Sequence, residues 1–136
     1  MTAFVLDNSV TMRWCFESGT PAYADAVARQ LEAGEAFVPI LWRYEVSAVL
    51  ARAQRTGLLT AQQVAEFLED LEAVNIIVDA DSASYILTDV HRLAVTYRLT
   101  SYDAAYLELA LRRNLPLATL DEELLRACKA AGVAVL

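Results

Sequence analysis

Thr100-Ser101-Tyr102-Asp103-Ala104-Ala105-Tyr106, an apolar run on to Arg113, and then Leu117-Ala118-Thr119-Leu120-Asp121 decide how this chain is read. Thr100 and Ser101 are hydroxyl residues ahead of a helical pattern, and Asp103 falls in its first turn, where negative charge is favoured. Ala105, Leu109 and Leu111 supply an apolar stripe expected to pack on a sheet. Leu117 to Leu120 reads as a short buried strand, and Asp121 follows it at once. A helix start and a strand end, each with an Asp, meet where open α/β sheets place their sites.

The same alternation runs through the rest of the chain. Ala3 to Leu6 is an apolar run of the kind found in a central parallel strand, and it ends at Asp7. Asn8 and Ser9 are helix-cap residues before a short helix through Trp14 and Phe16. Ser18-Gly19 breaks that helix, and Thr20-Pro21 starts the next, which carries Ala24, Val27, Ala28 and Leu31 on one face and stops at Gly34. Ala36 to Val38 is a strand, and Pro39 opens a helix to about Arg55 with Trp42, Val46, Val49, Leu50 and Ala53 facing inward. Gly57 ends it. Thr60 and Gln63 have capping-box spacing before a helix through Leu71. Asn75 to Val78 is a strand, and a helix from Asp79–Ser84 runs to about Arg98. Asp121-Glu122-Glu123 opens a helix through Leu125 and Cys128, Gly132 stops it, and Val133 to Leu136 closes as a strand. Strand and helix alternate throughout, so the expectation is a three-layer α/β/α fold with a mostly parallel sheet of about five strands. No repeat, linker or low-complexity stretch interrupts residues 1–136, which are expected to form one domain.

Composition limits the function. The 136 residues are 57% hydrophobic with a net charge of −7. That charge argues against a general nucleic-acid binder. No apolar run reaches the ~20 residues needed to span a bilayer. The start, Met1 to Asp7, has no basic segment and meets an acid too early for a secretory signal, so a cytoplasmic protein is expected. Cys15 and Cys128 have no motif partners and are expected to be reduced thiols. Lys129 is the single Lys, so the cations are nearly all Arg. Arg suits bidentate contact with phosphate, although an Ala-rich, Arg-rich composition also follows from base composition.

Asp7, Asp103 and Asp121 each have an ordinary reading as helix-terminal acids. Glu45 is harder to explain, because it lies beside Leu41, Ala48 and Val49, where a lone carboxylate costs free energy. Asp7 and Asp121 both end expected parallel strands and converge if those strands are neighbours. Two such charges ~4 Å apart repel by ~4 kcal/mol at an effective dielectric of 20. Only Arg43 stands near any of the four in sequence. Acids gathered without a cation suit a bound one, and an all-oxygen donor set suits Mg²⁺ or Mn²⁺ rather than zinc.

Asp7-Asn8-Ser9 after the first strand, Glu45 in the third helix, Tyr102-Asp103-Ala104-Ala105-Tyr106 and Thr119-Leu120-Asp121 together resemble the PIN-domain ribonucleases. The closest group is the VapC-type toxins of bacterial toxin–antitoxin pairs. The resemblance covers the whole chain in order and length. It implies metal-assisted hydrolysis of RNA, with Asp7, Glu45, Asp103 and Asp121 as catalytic and metal-binding acids. Ser9 and Thr119 match supporting hydroxyl positions. It also implies a structured RNA target such as tRNA or rRNA, a cognate antitoxin protein and a homodimer. Arg13, Arg43, Arg52 and Arg98 are then candidates for RNA contact, against a plain reading as solvated side chains. Trp14, Phe16, Trp42 and Tyr44 are core residues or, for Trp14 and Phe16, part of a groove for a partner helix. His91 stands alone and reads as a surface residue. Two other enzyme-like readings fail on residues. A phospho-receiver needs an acidic pair after the first strand and a Lys near the last, and a haloacid dehalogenase-type phosphatase needs an acid where Ser9 stands. The remaining alternative is a catalytically silent PIN-like interaction module, although all four acids are present.

Overall fold

The structure, a computed structural model, describes residues 2–16 and 22–136. The expected break at Ser18-Gly19 and the start at Thr20-Pro21 lie outside the described residues. The elements are β1 (Ala3–Leu6), α1 (Asn8–Cys15), α2 (Ala22–Gln30), β2 (Glu35–Val38), α3 (Ile40–Arg55), α4 (Ala61–Ala73) and β3 (Ile76–Val78). After two irregular turns come α5 (His91–Tyr97), α6 (Ser101–Arg113), β4 (Leu117–Ala118) and α7 (Glu122–Ala131).

The four strands pair in parallel in the order β3-β2-β1-β4. The expected fifth strand is reduced to one parallel bridge from Val135 to Leu117. Right-handed crossovers fix where the helices go. The chain steps from β1 to β2 to β3 in one direction, so α1 to α4 cover one face. It then crosses back to β4, so α5 and α6 cover the other. The observed packing agrees: α1 touches α2 and α3, α3 touches α4, and α6 touches α5, α7 and β1. The direction reverses between β1 and β4, and that reversal leaves a crevice beyond the carboxyl ends of the two strands.

β1 carries the centre of the core, with Phe4, Val5 and Leu6 fully buried. Around it lie Ala24, Val27, Trp42, Val46, Leu50, Leu107, Leu109, Leu117 and Leu124. Trp42 also donates its ring N–H to the Thr11 hydroxyl at 3.0 Å, which ties α3 to α1. Thr60 and Gln63 form the expected capping box, each side chain bonded to the other's backbone. Gly34 is required by space, since a Cβ there would stand 2.3 Å from the Thr2 carbonyl oxygen. No helix among the described residues is long and apolar enough to cross a membrane.

Two expectations are corrected. The helix expected from Asp79–Ser84 to Arg98 is broken into a 3₁₀ turn (Ser82–Tyr85), a π turn (Ile86–Val90) and α5. The inward stripe of α6 is Ala104, Tyr106, Leu107, Leu109 and Ala110, while Leu111 is exposed. Both differences have one physical origin. Asp79 is buried at the end of β3 and takes Arg112 at 2.7 Å and Arg113 at 2.7 Å, both from the last turn of α6. The Ser82 hydroxyl donates to the same carboxylate at 2.7 Å. Glu108, also buried, holds Arg112 at 2.7 Å. The guanidinium of Arg112 stacks on Tyr85 and that of Arg113 on Phe37. Turning these arginines inward rotates Leu111 outward and anchors the segment after β3 before a regular helix begins.

Burial opposes ionisation of Asp79, but the bonds from Arg112, Ser82 and Arg113 outweigh it and hold the carboxyl well below its usual range. A carboxyl with a lowered folded-state pKa stabilises fully above its ordinary value of about 4, and the contribution fades as pH falls below that. Asp79→Asn is therefore expected to lose on the order of 3 kcal/mol at pH 7, the scale of a broken buried pair. Urea melts at pH 7 and pH 3 check it: the gap to the parent narrows at pH 3, and a constant gap contradicts the ion-pair account.

Candidate functional site

Asp7 occupies the N-cap position of α1, yet its side chain makes no capping bond. The expected capping role is thus absent. Its Oδ2 instead accepts the Ser9 hydroxyl at 2.5 Å and the Thr119 hydroxyl at 2.7 Å. These hydroxyls stitch the two strand ends together. The Leu120 amide donates to Ser9 Oγ at 2.9 Å, and the Asp121 amide donates to Thr119 Oγ1 at 3.0 Å. Asp7 is only 5% exposed. Burial pushes its carboxyl above the usual range, the charge of Asp121 adds to that, and the Ser9 and Thr119 bonds oppose it.

Asp121 does cap a helix. Its Oδ1 accepts the Leu124 amide at 2.9 Å at the start of α7. Asp103 sits in the first turn of α6, where Thr100 is the cap and accepts the Asp103 amide at 3.1 Å. Partial burial raises the Asp103 carboxyl to about 6, with the charges of Asp121 and Asp7 adding to the effect. Glu45 reaches the same place from α3. Burial pushes its carboxyl up, the Tyr106 bond opposes this, and the charges of Asp7 and Asp103 raise it further. Residues from both helical layers therefore feel one another across the carboxyl end of the sheet. All four acids named from the sequence share this crevice, together with Ser9 and Thr119.

None of the four is ion-paired among the described residues. The Arg side chains with partners are Arg92, Arg112, Arg113 and Arg126, all engaged elsewhere. Arg13, Arg43, Arg52 and Arg98 are exposed, as is His91. The donor set is all oxygen, which fits Mg²⁺ or Mn²⁺ by chemistry. Among the described residues, no three His, Cys, Asp or Glu side chains are already drawn into a shell that could hold a metal ion.

Sequence reasoning missed Tyr106 as a site residue. Its hydroxyl donates to Glu45 Oε1 at 2.5 Å. The available signal was spacing, because Asp103 and Tyr106 are three residues apart and share a helix face. Among the aromatics, Trp14 donates its ring N–H to the Ala24 carbonyl, Trp42 is buried and Tyr44 is exposed. Cys15 and Cys128 are free thiols, and burial with the nearby Asp7 charge pushes Cys128 up to about 11. A groove of about 580 Å³ lies between α3 and α4, lined by Trp42, Val46, Leu50, Leu68 and Leu71, and none of the four acids borders it.

The raised Asp103 carboxyl has a consequence for stability. Its folded value of about 6 lies above the ordinary value of about 4, so ionising it opposes folding above pH 6 and has no cost below pH 4. In the presence of a chelator, Asp103→Asn is expected to be more stable than the parent at pH 7.5, by on the order of 1 kcal/mol after solvent screening. The gain disappears at pH 4. Thermal melts at the two pH values check this, and a variant less stable at pH 7.5 contradicts it.

Residues 4–130 match the family profile described as PIN domain. A protein named Ribonuclease VapC3 from Mycobacterium tuberculosis is 38% identical over 106 residues, covering 78% of this chain and 74% of that protein. A Ribonuclease VapC3 from Pyrobaculum aerophilum is 36% identical over 81 residues, covering 60% of this chain and 62% of that protein's length. Among solved structures, VapBC2 from Rickettsia felis, bound to a DNA fragment from its promoter, superposes with a TM-score of 0.70 at 11% identity, over 99% of this chain and 98% of that one. With a family profile spanning nearly the whole sequence, this chain belongs to the PIN-domain family.

Proposed function

We propose that the chain is a divalent-metal-dependent endoribonuclease, the toxin of a toxin–antitoxin pair, acting on RNA in the cytoplasm. The observation that carries the reading is the crevice itself. Burial raises the proton affinity of Asp7, Glu45 and Asp103, the charges of neighbouring acids, Asp121 among them, add to it, and none of the four has a paired cation among the described residues. Membership of the PIN family and relatives named as ribonucleases support it.

Asp7 and Asp103 are the residues to hold Mg²⁺ or Mn²⁺ directly, with Asp121 binding directly or through water. A divalent ion bound there would polarise the scissile phosphate and supply hydroxide at neutral pH. The chain's own contribution is positioning. Ser9 and Thr119 hold Asp7 Oδ2, and Oδ1 is the oxygen proposed to bind the ion. The Leu124 amide holds Asp121 Oδ1, leaving Oδ2. Glu45 has Oε2 free to act as a ligand or to accept a proton from water. The overall charge repels RNA, so exposed Arg13, Arg43, Arg52 and Arg98 are the residues to receive phosphate. A folded RNA such as tRNA or rRNA is the proposed substrate, on the family resemblance alone.

A cognate antitoxin is the proposed partner, since the Rickettsia felis neighbour is a VapBC protein. A homodimer is the proposed assembly.

Asp7→Asn is expected to stay folded, to lose RNA cleavage by at least two orders of magnitude, and to show a smaller Mn²⁺-induced rise in Tm than the parent. Cleaved RNA ends sequenced after expression with and without the neighbouring small gene product test the function. Metal-dependent cuts that the small protein suppresses are expected. No cuts and no growth arrest would favour the silent interaction module.

A further inference from the structure

Tyr106 is fully buried in α6, yet it carries a polar hydroxyl to the edge of the acid crevice. Its partner is Glu45 Oε1 on α3, 61 residues away in sequence. α3 and α6 cover opposite faces of the sheet, so this bond spans the carboxyl end of the sheet from one layer to the other. The phenol hydroxyl donates to this carboxylate oxygen.

Geometry then decides which Glu45 oxygen is left. Oε1 is occupied by the phenol, and no other bond to Glu45 is made among the described residues. Packing fixes the donor, since Tyr106 lies among Ala104, Leu107, Leu109 and Ala110. Trp42, one turn before Glu45, is itself locked to Thr11. Both ends of the bond are therefore set by buried contacts, and a long acidic side chain with several rotamers is left with one orientation.

We propose that Tyr106 is a positioning residue for Glu45: by holding Oε1 from the opposite helical layer, it presents Oε2 to the divalent ion and its water. The inference rests on the metal-dependent reading above. Partners that hold metal-ligating groups in place are worth about 10- to 100-fold in metal affinity or activity.

The test is a double-mutant cycle read by Mn²⁺ titration calorimetry on the intact chain, with Tm recorded for each protein. Tyr106→Phe is expected to weaken Mn²⁺ binding about tenfold, and to have no effect once Glu45→Ala is present. A merely structural role would weaken both backgrounds alike, and that result overturns the proposal, as does a Tyr106→Phe protein that binds Mn²⁺ as tightly as the parent. A parent that binds no Mn²⁺ sinks the metal-dependent reading as well, so the two failures are distinct. If Tyr106→Phe does not fold, the Tyr106 hydroxyl proton of the parent reads the same bond by NMR. It is expected to resist exchange and to shift on adding Mg²⁺, and the absence of a shift overturns the proposal.

Discussion

Like charge held in place against its own repulsion is the constraint on which the structure depends. Burial and the charges of neighbouring acids push the carboxyls of Asp7, Glu45 and Asp103 above their usual range, a cost set against the marginal stability of a domain this size. The scaffold that withstands this is mostly apolar. Phe4, Val5 and Leu6 of β1 are fully buried, and β4 pairs beside it through Val5–Leu117 and Leu6–Ala118. The Ser9 and Thr119 hydroxyls then give Asp7 the hydrogen bonds that water would otherwise supply. α6 is pinned at its far end by Asp79, so its first turn is not free to swing Asp103 away.

The molecule contains two acid-rich places that behave oppositely, and the contrast gives the crevice its meaning. At Asp79, two guanidinium groups and a hydroxyl compensate the carboxylate, which is held ionised. At Asp7, Asp103 and Glu45 no paired cation offsets burial, hydrogen bonds offset it only in part, and protons bind more tightly. Arg112 and Arg113 lie nine and ten residues after Asp103, roughly 14 Å along the helix, beyond a Debye length at physiological salt. The two cations within α6 are thus committed to its other end. That contrast between the two ends of α6 is what supports the proposed cation site.

How much of this could be read from the sequence depended on whether the signal was local. Asp7 and Asp121 were legible because apolar runs end on them, and Glu45 because an acid beside Leu41 and Val49 has no ordinary explanation. The adjacency of β1 and β4 was conditional until the strand order was known, since two short apolar runs do not name their neighbours. Tyr106 was hidden because an aromatic on the inner face of a helix reads as core, and it is core except for one oxygen. The Asp79 network was invisible for the same reason at longer range: a salt bridge over 33 residues leaves no periodic trace. It also explains why Leu111, which continues the apolar run, turns out to face solvent. The expected closing strand is a single parallel bridge at Val135.

The central claim is that the crevice between β1 and β4 receives a divalent cation, and anomalous diffraction from crystals grown with Mn²⁺ tests it most directly. The account predicts one strong peak bounded by the carboxylates of Asp7, Asp103 and Asp121, with oxygen distances of about 2.0–2.2 Å and Glu45 Oε2 turned toward it. A crevice without a peak, while Mn²⁺ is bound elsewhere on the chain, would contradict it.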